Sequence, residues 1–162
     1  MRVALFLADA AQSGPDGKAH ALGLGWTFTS SPTAPMGLVV LMDVDWSETD
    51  RDIPVRIDLV DEDGGPVTVQ IPGQAPRTVE ITFTVRVARP PGHPEGVPIR
   101  WTQAVQLPGL PLPPGHRFQW RVTVDGAVGM PWTASFGTRT PPQQPSRPQP
   151  PPAPGAGPGG AG

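Results

Sequence analysis

The sequence predicts an all-β fold, an antiparallel β-sandwich of about eight strands in an immunoglobulin-like or Greek-key arrangement. The first reason is the segment Thr78–Val87, where apolar and polar residues alternate strictly. A period of two directs one set of side chains to a core and the other to water. The second reason is that this alternation recurs between turns rich in proline and glycine, and no helix longer than one turn is predicted.

Each predicted strand has a continuous apolar set at one parity. In chain order, the predicted strands are Arg2–Ala8, Ala19–Ser30, Gly37–Trp46, Ile53–Leu59, Val67–Ile71, Thr78–Val87, Val97–Leu107, Phe118–Val124 and Met130–Arg139. Within Ala19–Ser30 this parity predicts that Leu22, Leu24 and Phe28 face the core. The first half of Gly37–Trp46 is apolar on both faces, which is typical of a central strand.

Gly14-Pro15-Asp16-Gly17 marks one turn, and two further Asp-Gly pairs mark strand reversals, one at Asp63-Gly64 and one at Asp125-Gly126. Both are strong hairpin signals, because the favoured two-residue turns require positive φ angles. The folded domain is predicted to span residues 1–139. Residues 140–162 are predicted to form a disordered tail, because proline and glycine dominate this segment and leave little to bury.

Composition excludes several classes of function. The 162-residue chain has no cysteine, which rules out a disulfide scaffold, an iron–sulfur cluster and a thiolate zinc site, and agrees with a reducing cytoplasm. The net charge of −2 and the scattered arginines argue against nucleic-acid binding. No segment approaches the length of a membrane span, and the apolar run in Met1–Ala8 is too short for an export signal. We therefore predict a cytoplasmic protein without a membrane or nucleic-acid partner.

An acidic region offers the strongest metal candidates, Asp43, Asp45, Asp61 and Asp63. Calcium requires six or more oxygen ligands, and loops of all-β proteins can supply them. The alternative is structural, because Asp43 and Asp45 fall on the polar side of a strand and Asp63 lies at a hairpin tip. The structural interpretation is preferred, so the sequence predicts neither a metal nor another cofactor.

No combination of residues indicates catalysis. The histidines His20, His93 and His116 lack the spacing that directs two rings to one metal ion. The serines have no nucleophile-elbow motif around them. A non-enzymatic protein is therefore predicted. A hydrolase whose paired carboxylates are distant in sequence and brought together by folding ranks third, after the two binding hypotheses given below.

Aromatic and proline-rich features suggest binding. The five tryptophans lie in phase with aliphatic neighbours, which favours a core position, with Trp46 and Trp132 near strand ends as the exceptions. Exposed on one face, such rings would form a platform that binds carbohydrate or peptide by stacking. In the tail, Pro142, Pro145 and Arg147 fit a PxxPxR pattern that polyproline-binding grooves recognise, although a solubilising tail explains the same composition.

Several segments resemble an uncharacterised family of small bacterial, largely actinobacterial, proteins. The segments that carry the resemblance are Leu7–Gln12, Asp16–Lys18, Leu22–Trp26, Trp46–Arg51, Leu59–Gly64, Leu112–Trp120 and Asp125–Gly126. The likeness spans about residues 1–139. It implies an all-β fold and a bacterial source, and it supplies no catalytic residues.

The resemblance also suggests which strand ends act together. If the fold joins them, Glu48, Arg51 and Asp9 would form a polar rim around Trp46, whereas a simple Glu48–Arg51 pair would only stabilise its own turn. Trp46, Glu48 and Arg51 are therefore the candidate partner-binding residues of the folded part. The leading hypothesis is a module that binds an unidentified protein partner, and the runner-up is a calcium- or carbohydrate-binding domain.

Overall fold

Alternating apolar residues form strands throughout the part of the chain that the structure describes. This structure is a computed structural model, and it describes residues 1–140, apart from the side chains of residues 128–131. Twelve strands occur in this part, together with one turn of 3-10 helix at Trp46–Glu48. The strands are β1 Arg2–Ala8, β2 Ala10–Ser13, β3 Ala19–Leu22, β4 Phe28–Thr29, β5 Met36–Val44, β6 Asp52–Asp61, β7 Thr68–Val69, β8 Arg77–Thr78, β9 Glu80–Arg86, β10 Ile99–Leu107, β11 Arg117–Val124 and β12 Ala127–Thr138.

The strands form two larger sheets and two short ribbons. The three-stranded sheet has the order β1-β5-β10, and the five-stranded sheet has the order β4-β12-β11-β6-β9. The ribbons are β2–β3 and β7–β8. The prediction of antiparallel sheets is confirmed, except that the short strand β4 runs parallel to β12.

Residues from both larger sheets build one hydrophobic core. Its fully buried side chains include Met42 of β5, Ile57 of β6 and Trp120 of β11. Burying an aliphatic or aromatic side chain of this size contributes about 1.5–3 kcal/mol, so this common core is the main source of stability. We call the side of each sheet that faces this core its inner face, and the opposite side its outer face.

The prediction of one strand over Ala19–Ser30 is wrong. The strand ends at Leu22, and the chain turns through Gly23 and Gly25, whose φ angles are +68° and +96°. The left-handed backbone breaks the pleat, so parity is not kept across the turn. As a result Leu24 and Phe28 are exposed, contrary to the predicted core position. Leu22, still within β3, is exposed because the strand turns Ala19 and Ala21 toward its neighbours instead.

Other predicted strands differ in their limits, so the count exceeds about eight. The segment Thr78–Val87 is divided at Val79, whose N–H donates to the carbonyl of Val67 outside the β6–β9 ladder. The strand predicted from Met130 begins earlier, at Ala127, directly after the Asp125-Gly126 turn. No helix of the described part has the length and apolar character needed to cross a membrane.

Candidate protein-binding surface

The three candidate residues Trp46, Glu48 and Arg51 lie together at the end of β5. The 3-10 turn follows β5 directly and carries Trp46 and Glu48. Nη2 of Arg51 donates to Oε1 of Glu48 at 3.2 Å and to Oδ2 of Asp125 at 2.6 Å. The hydrogen bond with Asp125 is the largest cause that raises the pKa of Arg51. Asp125, which the sequence marked only as a turn residue, is thus part of this cluster.

The ring of Trp46 is covered by residues of the loop after β9. The guanidinium carbon of Arg89 lies 4.7 Å from the centre of the Trp46 ring, and the His93 ring stacks on it with centroids 6.1 Å apart. Arg89 is fixed there because its Nε donates to Oγ1 of Thr49 at 2.6 Å. A ring engaged in this way offers little surface for stacking a sugar.

Asp9 does not belong to this cluster, so the predicted rim is wrong in this respect. In the β1–β5 ladder Arg2 lies opposite Asp43, and Ala8 lies opposite Gly37. Asp9 therefore follows the far end of β1, where its N–H donates to the carbonyl of Leu22. The error arises because β1 and β5 pair antiparallel, which places the C-terminal ends of the two strands at opposite ends of the sheet.

Of the acidic candidates Asp43, Asp45, Asp61 and Asp63, the first three have carboxylates that pair with nearby donors, whereas Asp63 takes part through its backbone N–H. Asp43 accepts two hydrogen bonds from Arg100, which hold the pKa of its carboxyl below the usual range. Asp45 contacts the amino group of Met1. Oδ1 of Asp61 accepts from the N–H groups of Asp63 and Gly65 in an exposed turn.

These four carboxylates do not converge on a common point. Within residues 1–140, no three His, Asp or Glu side chains are arranged to hold a metal ion. The remaining candidates, Pro142, Pro145 and Arg147, lie outside the described residues.

The sequence did not predict the surface that covers the outer face of the three-stranded sheet. The β2–β3 ribbon folds back across this face and packs Ala11 against Val39 and Ala104. Its backbone approaches so closely that a Cβ on Gly37 would lie 2.6 Å from Cβ of Ala11. The N–H of Ala11 donates to Oε1 of Gln106 at 3.0 Å, which fixes the ribbon to β10.

The ribbon covers only part of this outer face. Beside it lies an open groove of about 540 Å³, which we call the Phe6 groove. Its lining is mostly apolar, and Lys18 and Thr102 complete it beside Phe6, Ala19, Ala21, Leu24, Val39 and Leu41. Phe6 is 42% exposed and Leu24 is 57% exposed. The sequence signal for this groove was that β5 carries apolar residues on its outer face, Val39 and Leu41, as well as on its inner face. The same pattern predicted a central strand.

Fold and surface together define a small all-β domain with an apolar groove on one sheet that no segment of residues 1–140 covers. The chain belongs to a family of unknown function, DUF6941, whose sequence profile matches residues 3–131. The predicted likeness to an uncharacterised family is therefore confirmed. Comparison with curated proteins and with solved structures finds no significant match.

Proposed function

We propose that this protein is a non-enzymatic protein-binding or scaffolding module that receives its partner in the Phe6 groove. The observation that carries the proposal is the exposure of Phe6 and Leu24 beside Val39 and Leu41, in one continuous apolar groove. Isolated exposed apolar residues are common, but a contiguous apolar surface with polar borders is typical of interaction sites.

The charges near the groove favour an apolar partner segment that also carries a carboxylate. Asp43, Arg2 and Arg100 share the outer face of this sheet with the groove residues, because they have the same parity. Asp43 is already engaged by Arg100, while Arg2 is 83% exposed and lies 4.0 Å from the same carboxylate. Lys18, which lines the groove, is paired with Asp16, so the two arginines beside Asp43 leave one positive charge in excess, which would attract a partner's carboxylate.

The alternatives have weaker support. A calcium site would have to displace the donors whose hydrogen bonds Asp43 and Asp61 already accept. A sugar platform at Trp46 would have to displace Arg89 and His93 from its ring.

We further propose that the two larger sheets form a sandwich of immunoglobulin-like type, because they share one core. We also propose that the protein acts in a bacterial cytoplasm, which the absence of cysteine supports.

The test is affinity capture from a lysate of the source organism with the full-length chain as bait. Baits carrying Phe6→Ser or Leu24→Ser should lose a partner that the unchanged chain retains. The matched control is Ile71→Ser, because Ile71 is also 42% exposed but does not line the groove. Melting curves of all baits must agree within a few degrees, so that loss of binding reports on the surface.

Three results would contradict the proposal. One is the absence of any specific partner with the unchanged bait. Another is a partner that all three serine variants retain equally. The third is a partner lost only when Pro142, Pro145 and Arg147 are replaced by alanine, because recognition would then belong to the polyproline pattern.

A further inference from the structure

Among the strands of residues 1–140, β9 has one side without a neighbouring strand. It forms the edge of the five-stranded sheet, and its ladder with β6 runs without irregularity from Asp52 opposite Arg86 to Asp58 opposite Glu80. The carbonyl of Pro54 accepts from the N–H of Asp125, so the backbone at position 54 is directed to the β11 side of β6. In an antiparallel ladder its partner Thr84 must then direct its N–H and C=O away from β6.

The backbone N–H and C=O groups of every second residue along β9 point in this same outward direction. The residues whose backbone groups point outward are Glu80, Thr82, Thr84 and Arg86. Within residues 1–140, no hydrogen bond joins these outward N–H and C=O groups to another part of the protein. The strand contains no proline and no bulge, so it presents a regular edge for pairing.

The neighbouring edge strand β10 is protected, in contrast. The N–H of Ala104 donates to Oγ of Ser13 from the β2–β3 ribbon at 3.0 Å. The carbonyl of Ala104 accepts from Nε2 of Gln103 at 2.9 Å. These side chains occupy the positions that an added strand would need, which leaves β9 as the available edge on this side.

The core is incompletely covered between these two edges. Phe83 of β9 and Trp101 of β10 lie with ring centroids 5.8 Å apart and are only half-buried. They line an open groove of about 360 Å³ together with Val85 and Val105. A strand added to β9 would continue the inner face of the sheet over this groove and bury the exposed parts of these side chains.

We propose that β9 pairs antiparallel with β9 of a second copy of this chain, about a two-fold axis at Phe83. In this register Thr82 lies opposite Thr84 of the partner subunit, and Phe83 lies opposite its own equivalent. Residues with outward backbone groups then oppose each other, as ladder hydrogen bonds require. A two-fold axis perpendicular to the sheet makes the interface self-complementary, which is the commonest form of homodimer.

Charge complementarity selects a second copy over an unrelated peptide. The same register puts Glu80 opposite Arg86 of the partner subunit, and it does so twice because of the two-fold axis. Within one chain, Arg86 lies 3.7 Å from Asp52, and Glu80 lies 3.2 Å from Arg56. Each end of the interface would therefore carry four charges of alternating sign across four adjacent strands. A shift of two residues would remove both pairs of opposite charge.

The test is the molar mass of the full-length chain, measured by analytical ultracentrifugation up to about 100 µM, where dimers of micromolar affinity are populated. We expect a concentration-dependent dimer. Thr84→Pro should abolish it, because proline removes an outward N–H but no N–H that β6 accepts. Its melting curve shows whether the monomer still folds.

Charge reversal provides a second test that does not disturb the backbone. Glu80→Arg and Arg86→Glu should each weaken self-association about tenfold or more, because like charges then oppose each other twice. An equimolar mixture of E80R and R86E should dimerise again, since position 80 of one chain and position 86 of the other would once more carry opposite charges. The matched control is Glu95→Arg, the same charge change in an exposed loop.

The outcomes are decisive in both directions. A dimer lost in T84P and in each charge variant, but recovered in the mixture, supports the pairing. A chain that stays monomeric throughout the concentration range overturns it, and so does a dimer that persists in T84P or ignores the charge changes. Binding of an unrelated extended peptide at β9 without self-association also overturns it. The Phe6 groove is not involved, so this result is independent of the proposed function.

Discussion

Arg100 holds both carboxylate oxygens of Asp43 across two neighbouring strands, with Nε–Oδ1 at 2.7 Å and Nη2–Oδ2 at 3.0 Å. Asp43 and Arg100 lie directly opposite each other in the β5–β10 ladder. Two parallel hydrogen bonds between a guanidinium and a carboxylate are stronger than a single contact and fix the orientation of both groups. The pair therefore joins β5 to the edge strand β10 near the end of the sheet that carries Trp46.

This pair should make stability depend on pH in the acid range. The hydrogen bond with Arg100 lowers the pKa of Asp43 in the folded state. Its contribution is therefore complete above the unfolded pKa of about 3.9 and is lost as the pH falls through the lower folded value. Thermal melts from pH 7 to pH 3 should show that Asp43→Asn is a few degrees less stable at neutral pH.

The difference between D43N and the unchanged chain should shrink as the pH approaches 3. The double variant D43N/R100Q serves as the control and should be no less stable than D43N, because the pair is already broken. An equal pH dependence in D43N and the unchanged chain would refute the role of this carboxylate.

The approach of the β2–β3 ribbon to β5 should require glycine at position 37. A Cβ there would lie 2.6 Å from Cβ of Ala11 and 2.7 Å from its backbone nitrogen. Gly37→Ala should cost about 1–3 kcal/mol of unfolding free energy, as overpacking does, and should lift the ribbon from the sheet. Hydrogen exchange at the N–H of Ala11, which donates to Gln106, should become faster.

A second substitution tests the geometry behind this prediction. Adding Ala11→Gly removes only the Cβ contact and leaves the backbone contact, so it should restore stability only in part. Full restoration, or normal exchange at Ala11 in the single variant, would contradict the close approach.

The turn between β11 and β12 should depend on the backbone of Asp125 more than on its charge. Asp125 and Gly126 have φ angles of 50° and 77°, the combination that favours Asn-Gly and Asp-Gly in tight hairpins. Asp125→Ala should cost about 1–2 kcal/mol, because alanine avoids the left-handed region. Denaturant melts of D125A and D125N separate the two effects.

Asp125→Asn keeps the turn but weakens the contact with Arg51, so we expect it to lie close to the unchanged chain. If D125N loses as much stability as D125A, the ion pair rather than the turn conformation would be the main contribution.

The buried Trp120 should tolerate phenylalanine better than alanine. Its side chain is fully buried, and no acceptor within residues 1–140 is paired with its Nε1. Trp120→Ala should cost about 3–5 kcal/mol because it leaves a cavity. Trp120→Phe should cost half of that or less, since it removes no hydrogen bond and fills most of the space.

Equilibrium unfolding in guanidinium chloride measures both variants of Trp120. A loss in W120F as large as that in W120A would mean that the indole N–H makes an interaction that stabilises the core.

Local sequence patterns predicted the strands whose residues keep one parity. The first strand was predicted as Arg2–Ala8 and has these limits in the structure. The segment after Ala19 failed because Gly23 and Gly25 adopt positive φ angles, which an alternating pattern does not reveal. Periodicity therefore predicts a strand only while the backbone stays extended.

The candidate cluster was predicted only where its members are close in sequence. Trp46, Glu48 and Arg51 lie within six residues, so one turn joins them. Asp125 is 74 residues from Arg51, and Arg89 reaches Thr49 from 40 residues away. Such partners depend on how the strands are ordered in the sheets, and the pleat of a single strand carries no information about that order.

The position of β12 has a consequence for the order in which the sheets are completed during synthesis. The three-stranded sheet needs nothing beyond Leu107, whereas β12 lies between β4 and β11 in the other sheet. On the ribosome, β11 would therefore emerge with one side unpaired until the 12 residues of β12 follow. At about 5–20 residues per second this interval lasts on the order of one second. During that time β4 also has no partner in its sheet, so β12, the last strand within residues 1–140, joins β4 to the three strands on its other side.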